Sequence, residues 1–186
     1  MAWTTYDSPL GPLTLISATA GLQAVHFPGH RPSLAPSDRD PTVLHEAVSQ
    51  LEQYFNGERR TFSLELDLSG TTFQRRVWRA LQQVPYGRTT TYGGLARELN
   101  VNGSGSVSAA REVAWATAAT PTPIVVACHR VIAADGSLTG YRGGLQRKQA
   151  LLDFEASGGT PDALRGNYAS VTAAVSSDSQ TRMVAH

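Results

Sequence analysis

The sequence predicts an α/β (α+β) protein in two parts, a small N-terminal β-sheet unit followed by a mainly helical unit. Three observations predict it. Strand-like apolar residues dominate before residue 68, helical spacing dominates after residue 71, and Ser69-Gly70-Thr71-Thr72 separates the two regimes. A length of 186 residues and a hydrophobic fraction of 41% suffice for one ordinary domain or two small ones with a packed core.

In the first unit, Ser8-Pro9-Leu10-Gly11 reads as a turn. Leu13, Leu15, Leu22, Val25 and Phe27 supply two short strands around a turn at Ala20-Gly21. Residues 28–41 are rich in Pro, Ser and Asp and read as a loop. Residues 43–55 carry apolar side chains at helical spacing, and Asn56-Gly57 ends the helix. Phe62, Leu64, Leu66 and Leu68 alternate with polar residues, which predicts a further strand.

In the second unit, Phe73, Val77, Leu81 and Val84 form an amphipathic helix that Pro85-Tyr86-Gly87 stops. Thr91 caps a short helix through Tyr92, Leu95, Ala96 and Leu99. A flexible turn, Asn102-Gly103-Ser104-Gly105, leads to a helix over about 106–118. Helix, glycine-containing turn, helix is the outline of a helix-turn-helix, and also of many helical hairpins that bind no DNA. Thr120-Pro121-Thr122-Pro123 leads into a predicted strand carrying Cys128, and Asp135-Gly136 makes a turn. Residues 140–144 form a glycine-rich loop before a last helix with Leu145, Leu151, Leu152 and Phe154. The expected units are therefore 1–68, 71–156 and a mobile tail over 157–186.

Charge divides along the same lines. Residues 1–69 carry 4 Arg against 8 Asp and Glu, whereas residues 70–155 carry 9 Arg and Lys148 against 5 acids, a net of +5. The basic middle segment suits a polyanionic partner, although a solvated surface would look the same. No run approaches about 18 apolar residues, so no membrane helix is expected. Residues 1–6 lack the pattern of an export signal. One cysteine and no export signal point to a reducing cytoplasm.

Chemistry concentrates at Ala127-Cys128-His129-Arg130-Val131. Cys128 is the only cysteine, so it is either a buried filler or a nucleophile. A neighbouring imidazole is a common means of making a thiolate near neutral pH. His26, His30, His45 and His186 show no metal-ligand spacing, and neither a metal nor a cofactor is expected.

The order and spacing of several short motifs resemble the O6-alkylguanine-DNA alkyltransferases over about residues 4–155. The pieces are Asp7-Ser8-Pro9-Leu10-Gly11, Phe73-Gln74 with Val77-Trp78, Pro85-Tyr86-Gly87, Tyr92-Gly93-Gly94-Leu95-Ala96 and Ala109-Ala110-Arg111. Cys128-His129-Arg130-Val131-Ile132, Gly140-Tyr141, Gly143-Gly144, Lys148 and Glu155 complete the set. The resemblance implies a ribonuclease-H-like support domain over 1–68 and a DNA-binding, alkyl-accepting domain over 71–156. It implies direct-reversal repair in which Cys128 takes the alkyl group irreversibly from O6 of guanine, once per molecule. His129 would draw the thiol proton through a water, Glu155 would orient His129, and Tyr92 would assist the leaving guanine at N3. The target base would be flipped out through the minor groove. Arg111 would fill the space it leaves, with Thr91, Ser108, Ala109 and Ala110 at the DNA surface. Val126, Val131, Tyr141, Arg142 and Gly143 would wall the pocket. The implied partner is double-stranded DNA carrying O6-alkylguanine, with O4-alkylthymine a further lesion. The protein would act as a monomer in the cytoplasm, at the nucleoid when bound.

The chain departs from the family pattern at Ala127, where proline is usual, and at Thr120, where asparagine is usual. Ala114 and bulky Trp115 follow Val113 where a glycine is usual after the valine, and the turn from Asn100 to Ser106 is longer. Three rivals remain at this level. A non-catalytic lesion binder would lack Cys128. A helix-turn-helix regulator would carry long polar side chains over 106–118, where Ala, Val and Ser predominate. A cysteine hydrolase would turn over repeatedly.

Overall fold

Trp3, Thr4, Thr5 and Tyr6 are aromatic or β-branched, the residue types that suit a pleated surface, and they lie in strand β1 (Ala2–Ser8). The computed structural model describes residues 1–19, 21–30, 32–101 and 106–164. β1 pairs antiparallel with β2 (Gly11–Ala18), which pairs antiparallel with β3 (Gly21–His26), giving a three-stranded meander. The first unit therefore starts with three strands rather than the expected two. The turn at Ser8-Pro9-Leu10-Gly11 is present: Ser8 Oγ accepts from the Leu10 N–H and donates to the Gly11 carbonyl. The Ala20 half of the next turn lies outside the described residues.

Helix α1 (His45–Phe55) follows a loop and begins two residues later than the sequence spacing suggests, because Leu44 adopts a left-handed backbone with φ 59°. The expected strand over 62–68 does not form a ladder. It crosses β3 at one point, where the Leu22 N–H donates to Glu65 O and the Asp67 N–H donates to Leu22 O, each at 3.0 Å. Its alternation serves packing instead: Leu64 and Leu66 lie against the core under α1, and Leu66 and Leu68 against the helical core.

Helix α2 (Thr72–Gln83) starts at a capping box in which Thr71 and Gln74 satisfy each other's backbone N–H. Two-residue β4 (Thr90–Thr91) runs straight into helix α3 (Tyr92–Glu98), with Thr91 Oγ1 accepting from the Gly94 N–H. Ser106 caps α4 (Val107–Ala118) in the same way. The glycine turn at 102–105 lies outside the described residues. β4 pairs in parallel with β5 (Val131–Ile132), which fixes the start of α3 beside the segment that carries Cys128. Helix α5 (Leu145–Ala156) closes the fold.

Cys128 does not lie on a strand, as expected, but opens a 3₁₀ turn, Cys128–Arg130. Two prolines and a left-handed Ile124, φ 76°, interrupt the apolar run before it. A β-branched residue there is strained by about 1–2 kcal/mol, and burial of Ile124 in the core holds it.

Two cores result, and they do not divide at residue 70. The first unites the sheet, α1, Ile124 and Val125 with Ala150, Leu151 and Phe154 of α5. The second is formed by α2, α3, α4, Val126, Cys128 and Val131. The segment from Ile124 to Val131 that carries Cys128 thus contributes to both cores, whereas α5 packs in the first. Residues 157–164 were expected in a mobile tail. Instead Ser157 receives the Thr160 N–H, and Leu164 is fully buried in the first core. Residues 165–186 lie outside the described residues. No described helix is long and apolar enough to cross a membrane.

Candidate active site

The 3₁₀ turn buries Cys128, His129 and Arg130 in succession. Cys128 is 6% exposed, and its N–H donates to Val126 O at 2.7 Å. Burial raises the thiol pKa to about 11, against the Thr120 hydroxyl and the charges of Lys148 and Arg142, which lower it. At neutral pH this thiol is protonated and needs a base to react.

That base is adjacent. His129 is fully buried, with Nε2 2.9 Å from Glu155 Oε1. Its other ring nitrogen, Nδ1, has no protein hydrogen-bond partner. Burial lowers the His129 pKa below its ordinary 6.5, although Glu155 pulls upward. The neutral imidazole, able to accept a proton, is the form present at pH 7.

Glu155 organises the centre. Its carboxylate accepts from Tyr54 Oη at 2.8 Å, from the Gly87 N–H at 3.1 Å, and from Arg130 Nε and Nη2, both at 2.8 Å. Burial opposes its ionisation, but His129 and Arg130 outweigh that and hold the carboxyl well below its usual range. Arg130 also donates to Val84 O at 2.5 Å and lies 5.6 Å from the Tyr86 ring centroid. The buried charges are therefore paired and hydrogen-bonded, the condition under which they are tolerated.

These protonation states make the fold acid-labile. Below pH 6.5 the unfolded chain takes up a proton at His129 that the folded chain refuses, so stability complete above 6.5 is lost below it. The depressed Glu155 adds stability that is present above its ordinary 4.5 and lost as pH falls further. Urea midpoints measured from about pH 8 to about pH 4 are expected to fall in these two stages. A flat profile down to about pH 5 would contradict a neutral buried His129.

The other side of the thiol is lined by Tyr92, Tyr141 and Lys148. Burial raises both tyrosine pKa values, and the Cys128 charge adds to each. Tyr92 Oη donates to Thr139 O at 3.3 Å, and buried Lys148 Nζ donates to the same carbonyl at 2.8 Å. Tyr141 packs edge-on against Phe27 with its hydroxyl unpartnered. Gly143 has no room for a side chain, since a Cβ there would lie 2.7 Å from Phe27 and 2.8 Å from Tyr141. Val126 and Val131 are buried, with the Val126 carbonyl already engaged by the Cys128 N–H, and Arg142 is exposed.

The helical candidates form a separate face. Ser108 and Arg111 are exposed on α4 and Ala110 is half-buried, while Thr91 serves as the α3 cap. Ala109 corrects the expectation of a surface contact: it is fully buried in the second core. Sequence reasoning gave no role to Arg130, Tyr54, Gly87 or Lys148, and saw Thr120 only as a departure. One signal was available: Lys148 is the single lysine beside 15 arginines. No group of three metal-ligating side chains occurs among the described residues.

With this geometry in place, comparison with known proteins is decisive. The family described as "6-O-methylguanine DNA methyltransferase, ribonuclease-like domain" matches residues 1–68, and "6-O-methylguanine DNA methyltransferase, DNA binding domain" matches residues 72–157. The chain belongs to the 6-O-methylguanine DNA methyltransferase family. A methylated-DNA–protein-cysteine methyltransferase of Mycobacterium tuberculosis is 46% identical over 155 residues, covering 82% of this chain and 91% of the relative. One from Methanosarcina acetivorans is 40% identical over 160 residues, covering 84% and 99%. Among solved structures, the M. tuberculosis OGT in complex with DNA matches with a TM-score of 0.79 at 44% identity, covering 88% of this chain and 99% of that one. The O6-methylguanine-DNA methyltransferase of Pyrococcus kodakaraensis matches with a TM-score of 0.63 at 28% identity, covering 82% and 98%. The expected fold class agrees with these family structures.

Proposed function

We propose that the chain is a stoichiometric DNA alkyltransferase that restores guanine by moving the alkyl group from O6 onto Cys128. The observation that carries this reading is that His129, in the same turn as a buried thiol, is held 2.9 Å from buried Glu155 of α5. His129 Nδ1 takes the thiol proton through a water, and Glu155 and Arg130 keep the imidazole in place. Sulfur attacks the alkyl carbon in line, the S–C bond forms, and the C–O6 bond breaks with its electron pair leaving on guanine. Tyr92 Oη turns from Thr139 O to donate to N3 of the departing base. The thiol proton is returned to guanine, so the sum is thiol plus alkylguanine giving thioether plus guanine.

The partner is double-stranded DNA carrying O6-alkylguanine, and O4-alkylthymine presents the same alkyl–oxygen bond. The base leaves the stack to reach a thiol this deeply set, and Tyr141, Gly143 and Arg142 flank its pocket. The exposed face of α4, with Ser108 and Arg111, meets the minor groove, and Arg111 occupies the vacated stack. The protein acts as a monomer in the cytoplasm, with residues 1–68 supporting the alkyl-accepting part.

Intact-mass analysis after mixing with a duplex bearing O6-methylguanine tests this. The expected result is one added methylene per molecule, mapped to Cys128 and absent from Cys128→Ser. No adduct would overturn the reading, and repeated turnover of an ester or peptide substrate, blocked by thiol reagents, would favour a hydrolase.

A further inference from the structure

Helix α4 turns Ala109, Val113, Ala116 and Thr117 inward and leaves Val107, Ser108, Arg111, Glu112 and Trp115 exposed. Val107, Arg111 and Trp115 stand four residues apart and so share one ridge. Trp115 is 70% exposed and Val107 76%, two of only three large apolar side chains so exposed among the described residues. Arg111 is thus flanked one turn either way by a bare apolar side chain. The indole edges a shallow cavity of about 220 Å³ shared with Thr71, Phe73, Gln74, Glu112 and Ala116. Two apolar side chains fall far short of the roughly 20–30 residues per partner that a stable protein interface uses. A nucleic-acid groove needs only one such side chain.

We infer that Trp115 is a second DNA-contacting side chain on α4, an apolar wedge seated in the minor groove one helical turn from Arg111. The inference rests on the proposed docking of α4 on DNA. Four residues advance about 6 Å along a helix, and bases rise about 3.4 Å per step. With α4 along the groove, Trp115 meets the duplex about two base steps from the flipped position. Glu112 beside it repels phosphate, so the indole faces sugar edges and bases rather than the backbone anions. Apolar wedges in the minor groove partly unstack a step and bend the duplex, which would ease extrusion of a neighbouring base. Exposed Arg111, one turn away on the same ridge, supplies the complementary charge beside this contact.

The test is binding of the full chain to an undamaged duplex oligonucleotide, with Trp115→Ala, Trp115→Phe and Arg111→Ala alongside. Loss of a base–aromatic contact is expected to weaken binding about fivefold to a hundredfold in Trp115→Ala, with partial rescue by Trp115→Phe. Trp3 and Trp78 are 7% and 2% exposed, so the solvent-exposed emission of the wild type belongs to Trp115 and should be quenched by DNA. The thermal midpoint should not move, because Trp115 fills no core. Unchanged affinity in Trp115→Ala with weakened Arg111→Ala would overturn this inference and leave α4 docking intact. Unchanged affinity in both variants would overturn both. Loss of self-association in Trp115→Ala, with DNA affinity unchanged, would assign the patch to a second copy instead.

Discussion

Glu155→Ala is expected to lower the unfolding free energy by about 3–5 kcal/mol, the usual penalty for stranding a buried charge. The carboxylate is the acceptor for Tyr54, Gly87, His129 and Arg130 together. Its removal leaves the buried Arg130 guanidinium with the Val84 carbonyl as its remaining hydrogen-bond acceptor. Against a typical total of about 5–15 kcal/mol, that is a large fraction of the whole. At about 2–4 °C per kcal/mol for a chain of this size, the thermal midpoint should drop by roughly 6–20 °C. Glu155→Gln keeps an oxygen acceptor and the shape, so it should fall between the two. Thermal denaturation of both variants checks this, and a loss below about 1 kcal/mol in the alanine variant would mean that the charge is not buried as described.

His129→Gln is expected to slow alkyl transfer by about 10²–10⁴, the usual range for losing a positioned base. The amide can still hydrogen-bond Glu155 but cannot take a proton. With the thiol pKa at about 11, only about one molecule in 10⁴ is ionised at pH 7. The variant's rate should therefore climb about tenfold per pH unit through the neutral range. The wild-type rate should stay level there, because His129 is already neutral. Single-turnover transfer from a methylated duplex, followed against pH, separates the two profiles. A level profile in the variant would remove His129 from the proton path.

The helices were legible because their signals are local. The boundary at Ser69-Gly70-Thr71-Thr72 precedes α2, Thr91 caps α3, and the apolar spacing does the rest. What failed depends on distant packing. The apolar run before Cys128 reads as a strand until the core forces Ile124 into a left-handed turn. The alternation of Leu64, Leu66 and Leu68 is real, but it serves two cores rather than a ladder. Ala109 and Ala110 are chemically alike, so nothing in their identity says which one turns inward. At the site, Cys128 and His129 stand out by adjacency, whereas Glu155 is marked only by its place at a helix end and by the resemblance. Tyr54 has no local mark at all, because its partner lies in the last helix.

The hydrogen bond between Tyr54 and Glu155 spans 101 residues. Closing so long a loop is slow compared with forming a helix or a hairpin. Cys128 and His129 leave the ribosome before Glu155 does, so the nascent thiol is first presented without the carboxylate that orients its base. Helices α2 to α4 can form from neighbouring segments, but the proton path waits until α5 docks against α1. Chain topology thus sets a delay between synthesis and reactivity, and a refolding experiment should recover helical signal before it recovers transfer.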